Sequence, residues 1–264
     1  MRITPKLAKA LAVTAIAGLS LTACGGSNDE PAASGSEAEL AFVNAGKLTV
    51  CSDIPYEPFE FVRDGENVGF DMDVAAALAE DLGVELNVVD SSFDAIESGL
   101  FATQCDVAIS SVSITEERKG NMDFSDPYMD DDLTLVAKEG SGITDLESAK
   151  GMKVGVQQAT TGAKYAAENG IEAVQFEDGG LQVQALKSGT IDAALGNQSV
   201  LGYAIKDDEQ FQRVADFATG EQLGIAVKKG NTALLEEVNA TLQRLTEDGS
   251  LEEFTATWFG STEQ

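Results

Sequence analysis

Short apolar runs alternate with amphipathic segments through most of the chain. Lys47–Ser52 (KLTVCS) is apolar throughout and predicts a buried strand. A turn around Pro55 and Pro58 leads to a short strand at Phe59–Val62, and Arg63-Asp64-Gly65-Glu66 reads as a hairpin turn. Asp71 can cap a helix whose buried face is Val74, Ala77, Leu78 and Leu82, with Gly83 as its stop. Val84–Val89 predicts a strand, Phe93–Leu100 a short helix, and Asp106–Val112 (DVAISSV) a strand covered on both faces. The pattern then restarts. Leu133–Ala137, Met152–Val156, Val174–Phe176, Ile191–Leu195 and Leu223–Val227 predict strands. Ala163–Asn169, Gly180–Ser188 and Ser199–Lys206 predict the helices among them. Asn231 caps a long helix along Leu234, Leu235, Val238, Leu242 and Leu245, and Ser250-Leu251-Glu252-Glu253 reads as a capping box for a last one. Strand and helix alternating at this spacing predict an α/β protein with parallel sheets. Two such blocks suggest two lobes; the pattern does not say which lobe the helical tail joins.

The first 45 residues break this rhythm. Arg2, Lys6 and Lys9 precede an uncharged apolar stretch, 10–23, that ends in Leu21-Thr22-Ala23-Cys24. About 14 apolar residues fall short of the ~20 that a membrane span needs, so the segment reads as a secretory signal. Its end resembles the lipobox of bacterial lipoproteins. That resemblance implies cleavage after residue 23, lipid on Cys24, and a protein held at the extracytoplasmic side of the cell membrane. Residues 25–44 are small, polar and acidic, so 24–45 reads as a flexible tether, with order expected near Lys47.

Charge and composition narrow the chemistry. The chain carries 17 Lys+Arg and 45 Asp+Glu. Loss of residues 1–23 removes three cations and no acids, deepening the net charge from −28 to −31. Such a surface repels nucleic acid. The absence of histidine excludes Ser-His-Asp and Cys-His nucleophilic sites and His-based zinc sites in their usual forms. With Cys24 lipidated, Cys51 and Cys105 are too few for a Cys-only zinc site. Neither metal nor cofactor is expected.

Candidate ligand contacts cluster at predicted strand ends, where open α/β sheets bind their ligands. Arg118, in Ser113-Ile114-Thr115-Glu116-Glu117-Arg118, offers a planar fork for a carboxylate, and Thr115 can cap a helix beside it. An arginine there could equally pair with Glu116 or Glu117. Thr160-Thr161-Gly162 opens a helix whose free N–H groups suit an anion, or are simply capped. Asp53 and Asn197 end strands and can bond a ligand or a turn. Tyr56 and Phe93 can wall a pocket or fill core.

The ordered stretches CSDIPYEPFEF, GFDMDVAAALAEDLG, SVSITEERKGNMDFSDPY, KVGVQQATTGAKYA, IDAALGN, LGIAVKKGN and TEDGSLEEFTATWFG resemble the polar amino-acid-binding proteins of bacterial ABC importers, over roughly residues 46–260. The resemblance implies a type II periplasmic-binding-protein clamshell hinged by two crossover strands, near 133–137 and 222–226. The lobes would be 46–132 plus 227–264, and 138–221. It implies a monomer that captures an amino acid or related zwitterion and presents it to permease subunits. It further implies that Arg118 holds the ligand α-carboxylate with backbone N–H groups of Ser113 and Thr161, that the Ser111 carbonyl meets the α-amino group, and that Asp53, Tyr56 and Phe93 shape the side-chain pocket. Thr160 and Asn197 complete the expected site. The family usually has an aspartate where Asn197 stands, a charge-assisted contact of about 1–3 kcal/mol. Asp53 or Asp178 could replace it, or the ligand is not an ordinary α-amino acid.

Two rival readings use the same scaffold. One is a sensor lipoprotein that reports occupancy to a receptor. The other is a dehydratase-like enzyme working through Asp53 and Glu57. For the cysteines, a strand-register argument favours two buried thiols: Cys51 ends its strand while Cys105 precedes the next, an offset of several residues at ~3.3 Å each.

Overall fold

A computed structural model describes residues 40–260. The signal segment 1–23, Cys24 and the tether up to residue 39 lie outside the described residues. Residues 40–45, expected in the tether, are ordered against the body. Leu40 and Phe42 pack on the first core, and the Val43 N–H donates to Asp106 Oδ1 at 2.7 Å.

The first half of the chain runs β1 (Lys47–Ser52), β2 (Phe61–Arg63), β3 (Glu66–Val68), α1 (Phe70–Asp81), β4 (Glu85–Asp90), α2 (Phe93–Glu97), β5 (Val107–Ala108), α3 (Glu116–Lys119), β6 (Met122–Phe124) and β7 (Met129–Asp130). The second runs β8 (Leu133–Lys138), β9 (Val154–Gln157), α4 (Thr161–Glu168), β10 (Val174–Phe176), α5 (Gly179–Lys187), β11 (Ala193–Asn197), α6 (Gln198–Ile205) and β12 (Phe211–Phe217). The chain then returns through β13 (Gln222–Leu223), β14 (Ala226–Lys228), α7 (Thr232–Glu247) and α8 (Ser250–Phe259).

Two five-stranded sheets result, ordered β4-β1-β5-β14-β6 and β10-β9-β11-β8-β12. They are mixed rather than parallel throughout. β4-β1-β5 and β10-β9-β11 are parallel, but β14 runs against β5 and β6, and β8 against β11 and β12. The reversal arises because each sheet borrows a strand from the segments that link them. Leu133–Lys138, expected as a crossover, is an interior strand of the second sheet. The run Leu223–Val227 divides: its start pairs with β7 in a separate two-stranded ribbon, and its end enters the first sheet.

Alternation along the strands sorts the cores. On the first sheet, Leu48, Val50, Val107 and Ile109 face α1 and α7, while Cys51, Ala108 and Ala226 face Phe93, Ile96 and Phe101. The helical tail therefore joins the first sheet, its Leu234, Val238, Leu242 and Leu245 buried with α1. On the second sheet, Leu135, Val154 and Leu195 face α4, and Val136 and Ala194 face α5 and α6. Burial of these apolar faces favours folding by roughly 25 cal/mol for each Å² removed from water.

Three local expectations change. Asp71 is not a cap: α1 starts one residue earlier, after Gly69, and Asp71 is fully buried within it. Ser250 is the first residue of α8 and not its cap. Gly249 at φ +82° precedes it, and the Ser250 N–H is taken by the Asp248 carboxylate at 2.9 Å. Cys51 and Cys105 are disulfide-bonded, with Cα atoms 5.7 Å apart. The offset argument assumed that Cys105 continued the line of β5. Instead the N–H groups of Gln104 and Cys105 fold back onto the Phe101 carbonyl, and this turn carries Cys105 beside Cys51.

Candidate functional site

The carboxyl ends of the parallel strands of both sheets face one another. Asp53 follows β1, Gln157 ends β9 and Asn197 ends β11. Between β5 and α3 the chain leaves the first sheet, and Ser110, Ser111 and Ser113 form one wall of the gap. All nine residues expected there (Asp53, Tyr56, Phe93, Ser111, Ser113, Arg118, Thr160, Thr161 and Asn197) line a single cleft, together with Ser110 and Gln157. The cavity measures about 10 Å³, room for about one water, because the two walls bond to each other.

Arg118 is the cation of this cleft. α3 is a single turn whose N-cap, Thr115, accepts the Arg118 N–H at 3.2 Å. The guanidinium lies 5.0 Å from the Phe93 ring centre and is only 4% exposed. It donates to the carbonyls of Ser113 (2.9 Å) and, across the cleft, Ala159 (3.0 Å). Among the described residues Glu97 is the one carboxylate within ion-pair reach, and it is 3.9 Å away. Burial pulls the Arg118 pKa below its usual value, and the negative charges of Glu97, Glu221 and Glu117 oppose that shift. The result is a buried cation whose closest partners are neutral carbonyls.

Opposite Arg118, Thr160 caps α4 by accepting the Ala163 N–H at 3.1 Å. Thr161, the first residue of α4, donates its hydroxyl to Glu221 Oε2 at 2.7 Å. The same oxygen accepts the Ser113 hydroxyl at 2.7 Å, so Glu221 ties the two walls together.

The other end of the cleft is acidic. Asp53 is 5% exposed, accepts from Gln157 Nε2 at 2.5 Å, and has a pKa pushed up to about 7. Burial is the main cause. The Gln157 bond offsets part of it, and the charges of Asp178, Asp90 and Asp94 add to it. Asn197 accepts the Tyr56 hydroxyl at 3.0 Å, a third bond between the walls. Behind it Asp131 takes the Ser199 N–H (3.0 Å) and hydroxyl (2.5 Å); burial raises its pKa to about 6. Asp178 is the N-cap of α5, bonded to the Leu181 N–H at 2.8 Å, and is not part of the cleft wall. Glu57 lines an outer groove of about 910 Å³ between Pro55–Glu57 and α5–α6 and is not among the residues lining the cleft with Asp53.

The walls approach closely where α5 meets Tyr56. A Cβ on Gly179 would overlap the Tyr56 ring, and one on Gly180 would come within 2.7 Å of Pro55. Two glycines at this helix start are what let the lobes meet. Gln157, Ser110 and Glu221 were absent from the sequence expectations. Gln157 ends a strand as Asp53 and Asn197 do, and the strand-end rule would have found it. Ser110 neighbours Ser111 in the same serine run. Glu221 lies in a loop before the ribbon and carries no local signal.

Residues 48–261 match the bacterial extracellular solute-binding proteins, family 3. The chain belongs to that family. Among its relatives, the arginine-binding extracellular protein ArtP of Bacillus subtilis (strain 168) is 34% identical over 256 residues, 94% of this chain and 96% of ArtP. The crystal structure of the P235GK mutant of ArgBP from T. maritima is 35% identical with a TM-score of 0.77, covering 82% of this chain and 96% of that one. An ancestral arginine-binding protein bound to arginine is 37% identical with a TM-score of 0.76, covering 81% and 99%. The two sheets with a cleft between them are thus the two-lobed architecture of this family.

Proposed function

We propose that this solute-binding protein captures an amino acid with a cationic side chain, L-arginine first among them, between its lobes and delivers it to the permease of an ABC importer. The observation that carries this reading is Arg118: a guanidinium 4% exposed, facing both walls, with carbonyls as its closest partners. A ligand carboxylate supplies a closer counter-charge than Glu97, with the N–H groups of Ser113 and Thr161 beside it. The ligand ammonium meets the Ser111 carbonyl and Asn197 Oδ1. Asp53, with Asp90, Asp94 and Asp178 around it, suits a positive side chain, in line with the arginine-binding relatives.

Binding requires the wall-to-wall bonds to exchange for bonds to the ligand. The lobes, 46–132 plus 227–264 and 138–221, would turn about the crossovers at 133–137 and 222–226, and ligand contacts on both walls would favour the closed form. Lipid on Cys24 would hold the receptor at the outer face of the cell membrane, where the permease takes up the load. This role is binding without catalysis. A role as sensor instead of importer component is distinguished by whether permease and ATPase genes lie beside this one.

A thermal-shift screen of the chain from residue 25 against the twenty amino acids tests the reading. L-arginine is expected to raise the melting temperature most, followed by lysine, because a ligand bound only by the folded state stabilises it by mass action. A screen in which no amino acid raises it overturns the proposal.

A further inference from the structure

Behind the serine wall, the first lobe buries two carboxyl groups that the binding reading leaves unused. Glu60 and Asp71 are both fully enclosed. Asp71 Oδ2 accepts the Ser111 N–H at 2.7 Å. Glu60 Oε1 accepts the Ser110 hydroxyl, and that hydroxyl in turn accepts the Asp53 N–H at 3.0 Å. The remaining oxygens, Glu60 Oε2 and Asp71 Oδ1, have no donor among the described residues. Burial raises the pKa of both carboxyl groups, Asp71 to about 6. Burial, with the neighbouring Asp71 charge second, raises the Glu60 pKa well above the usual range.

What Asp71 holds is unusual. Ser111 has φ +46°, a left-handed conformation that residues other than glycine, asparagine and aspartate seldom adopt. The Ser111 hydroxyl is itself buried without a partner, so its own side chain does not secure that turn. The turn redirects the chain from β5 toward Ser113 and sets both Ser110 and Ser111 into the cleft wall. One acid therefore grips the backbone of Ser111, and the other reaches Asp53 through Ser110.

We propose that Glu60 and Asp71 are positioning residues of the binding site, which act as one unit to hold Ser111 in its left-handed turn and to fix Asp53, so that the groups meeting the ligand's positive charges are set before it arrives. The inference rests on the amino-acid-binding reading above and deepens it. It differs from a purely structural role because it places the effect of Asp71 in the backbone conformation of one residue, Ser111.

Calorimetric titration with L-arginine tests this on wild type, Asp71→Ala, Asp71→Asn, Ser111→Gly and Asp71→Ala/Ser111→Gly, each checked for folding by circular dichroism and melting. Asp71→Ala removes the acceptor and is expected to weaken binding at least tenfold. Asp71→Asn keeps a carbonyl acceptor and is expected to lose less. Glycine adopts positive φ freely, so the loss caused by Asp71→Ala should be at least threefold smaller in the Ser111→Gly background, while the melting temperature stays low. Wild-type affinity in Asp71→Ala, or an equal loss in both backgrounds, overturns the positioning role. Should Asp71→Ala not fold, Ser111→Val decides instead: a β-branched residue resists the left-handed turn, and at least a tenfold loss is expected, with wild-type affinity overturning the proposal. A wild type that binds neither arginine nor any other standard amino acid overturns the binding reading and this one with it. Normal wild-type binding with unresponsive variants overturns the positioning role alone.

Discussion

Asp53 carries most of the selectivity argument at the scale of single residues. Its pKa near 7 means that the carboxyl is about half protonated at neutral pH. A cationic ligand favours the ionised form, so binding draws a proton off Asp53 below pH 7. Affinity for L-arginine is expected to be about tenfold weaker at pH 6 than at pH 8, since each unit below the pKa costs a factor of ten. Asp53→Asn should flatten that dependence and weaken binding at pH 8 by at least about tenfold, through loss of a charge-assisted bond. Titration calorimetry at the two pH values checks both. Tight binding that ignores pH in the wild type would remove Asp53 from the ligand. Much of this site was legible in the chain. Arg118 and Thr161 were visible because a fork-shaped cation and a helix start have local signatures, and Asp53 and Asn197 because they end strands. Asp71 was misread as a helix cap because its true partner, the Ser111 N–H, is 40 residues away.

Single elements were legible wherever their period was strong, as in β1, α7 and the β9-to-α4 turn. Edge strands β6 and β12 were missed: they are short or half-exposed, and pairing with a distant strand defines them, not hydrophobic pattern. The disulfide was lost for a related reason. Whether two cysteines meet depends on a one-turn fold-back after Phe101, which strand register cannot foresee. The bridge closes a loop with a sequence separation of 54, for which chain entropy gives an upper figure of about 4 kcal/mol. Cys51→Ser/Cys105→Ser is expected to lower the urea midpoint while ligand affinity changes little, because the bridge lies in the core beneath β1 and outside the cleft lining. Equal midpoints for the two proteins would show that the bridge adds nothing to stability.

Across the whole molecule, buried acids set the response to pH. Asp53 (about 7), Asp71 and Asp131 (both about 6) and Glu60 all have pKa values raised by burial. For each, the folded state holds its proton more tightly than the unfolded chain does. For Asp53, Asp71 and Asp131 that contribution is complete below about pH 4 and is lost as pH climbs through the folded values, between about 6 and 7. The melting temperature is therefore expected to be higher at pH 5.5 than at pH 8, by several degrees. A scan that is flat or rises across that interval would contradict the assignment. The two sheets, the tail returned to the first of them, and the cleft between opposed strand ends together place a buried guanidinium between the two walls. The most direct test is calorimetry of L-arginine with wild type and Arg118→Ala under the same conditions. The account expects the variant to bind at least about 3 kcal/mol more weakly, roughly 150-fold, because the ligand carboxylate would be buried without its partner. Equal affinity in the two proteins would contradict it.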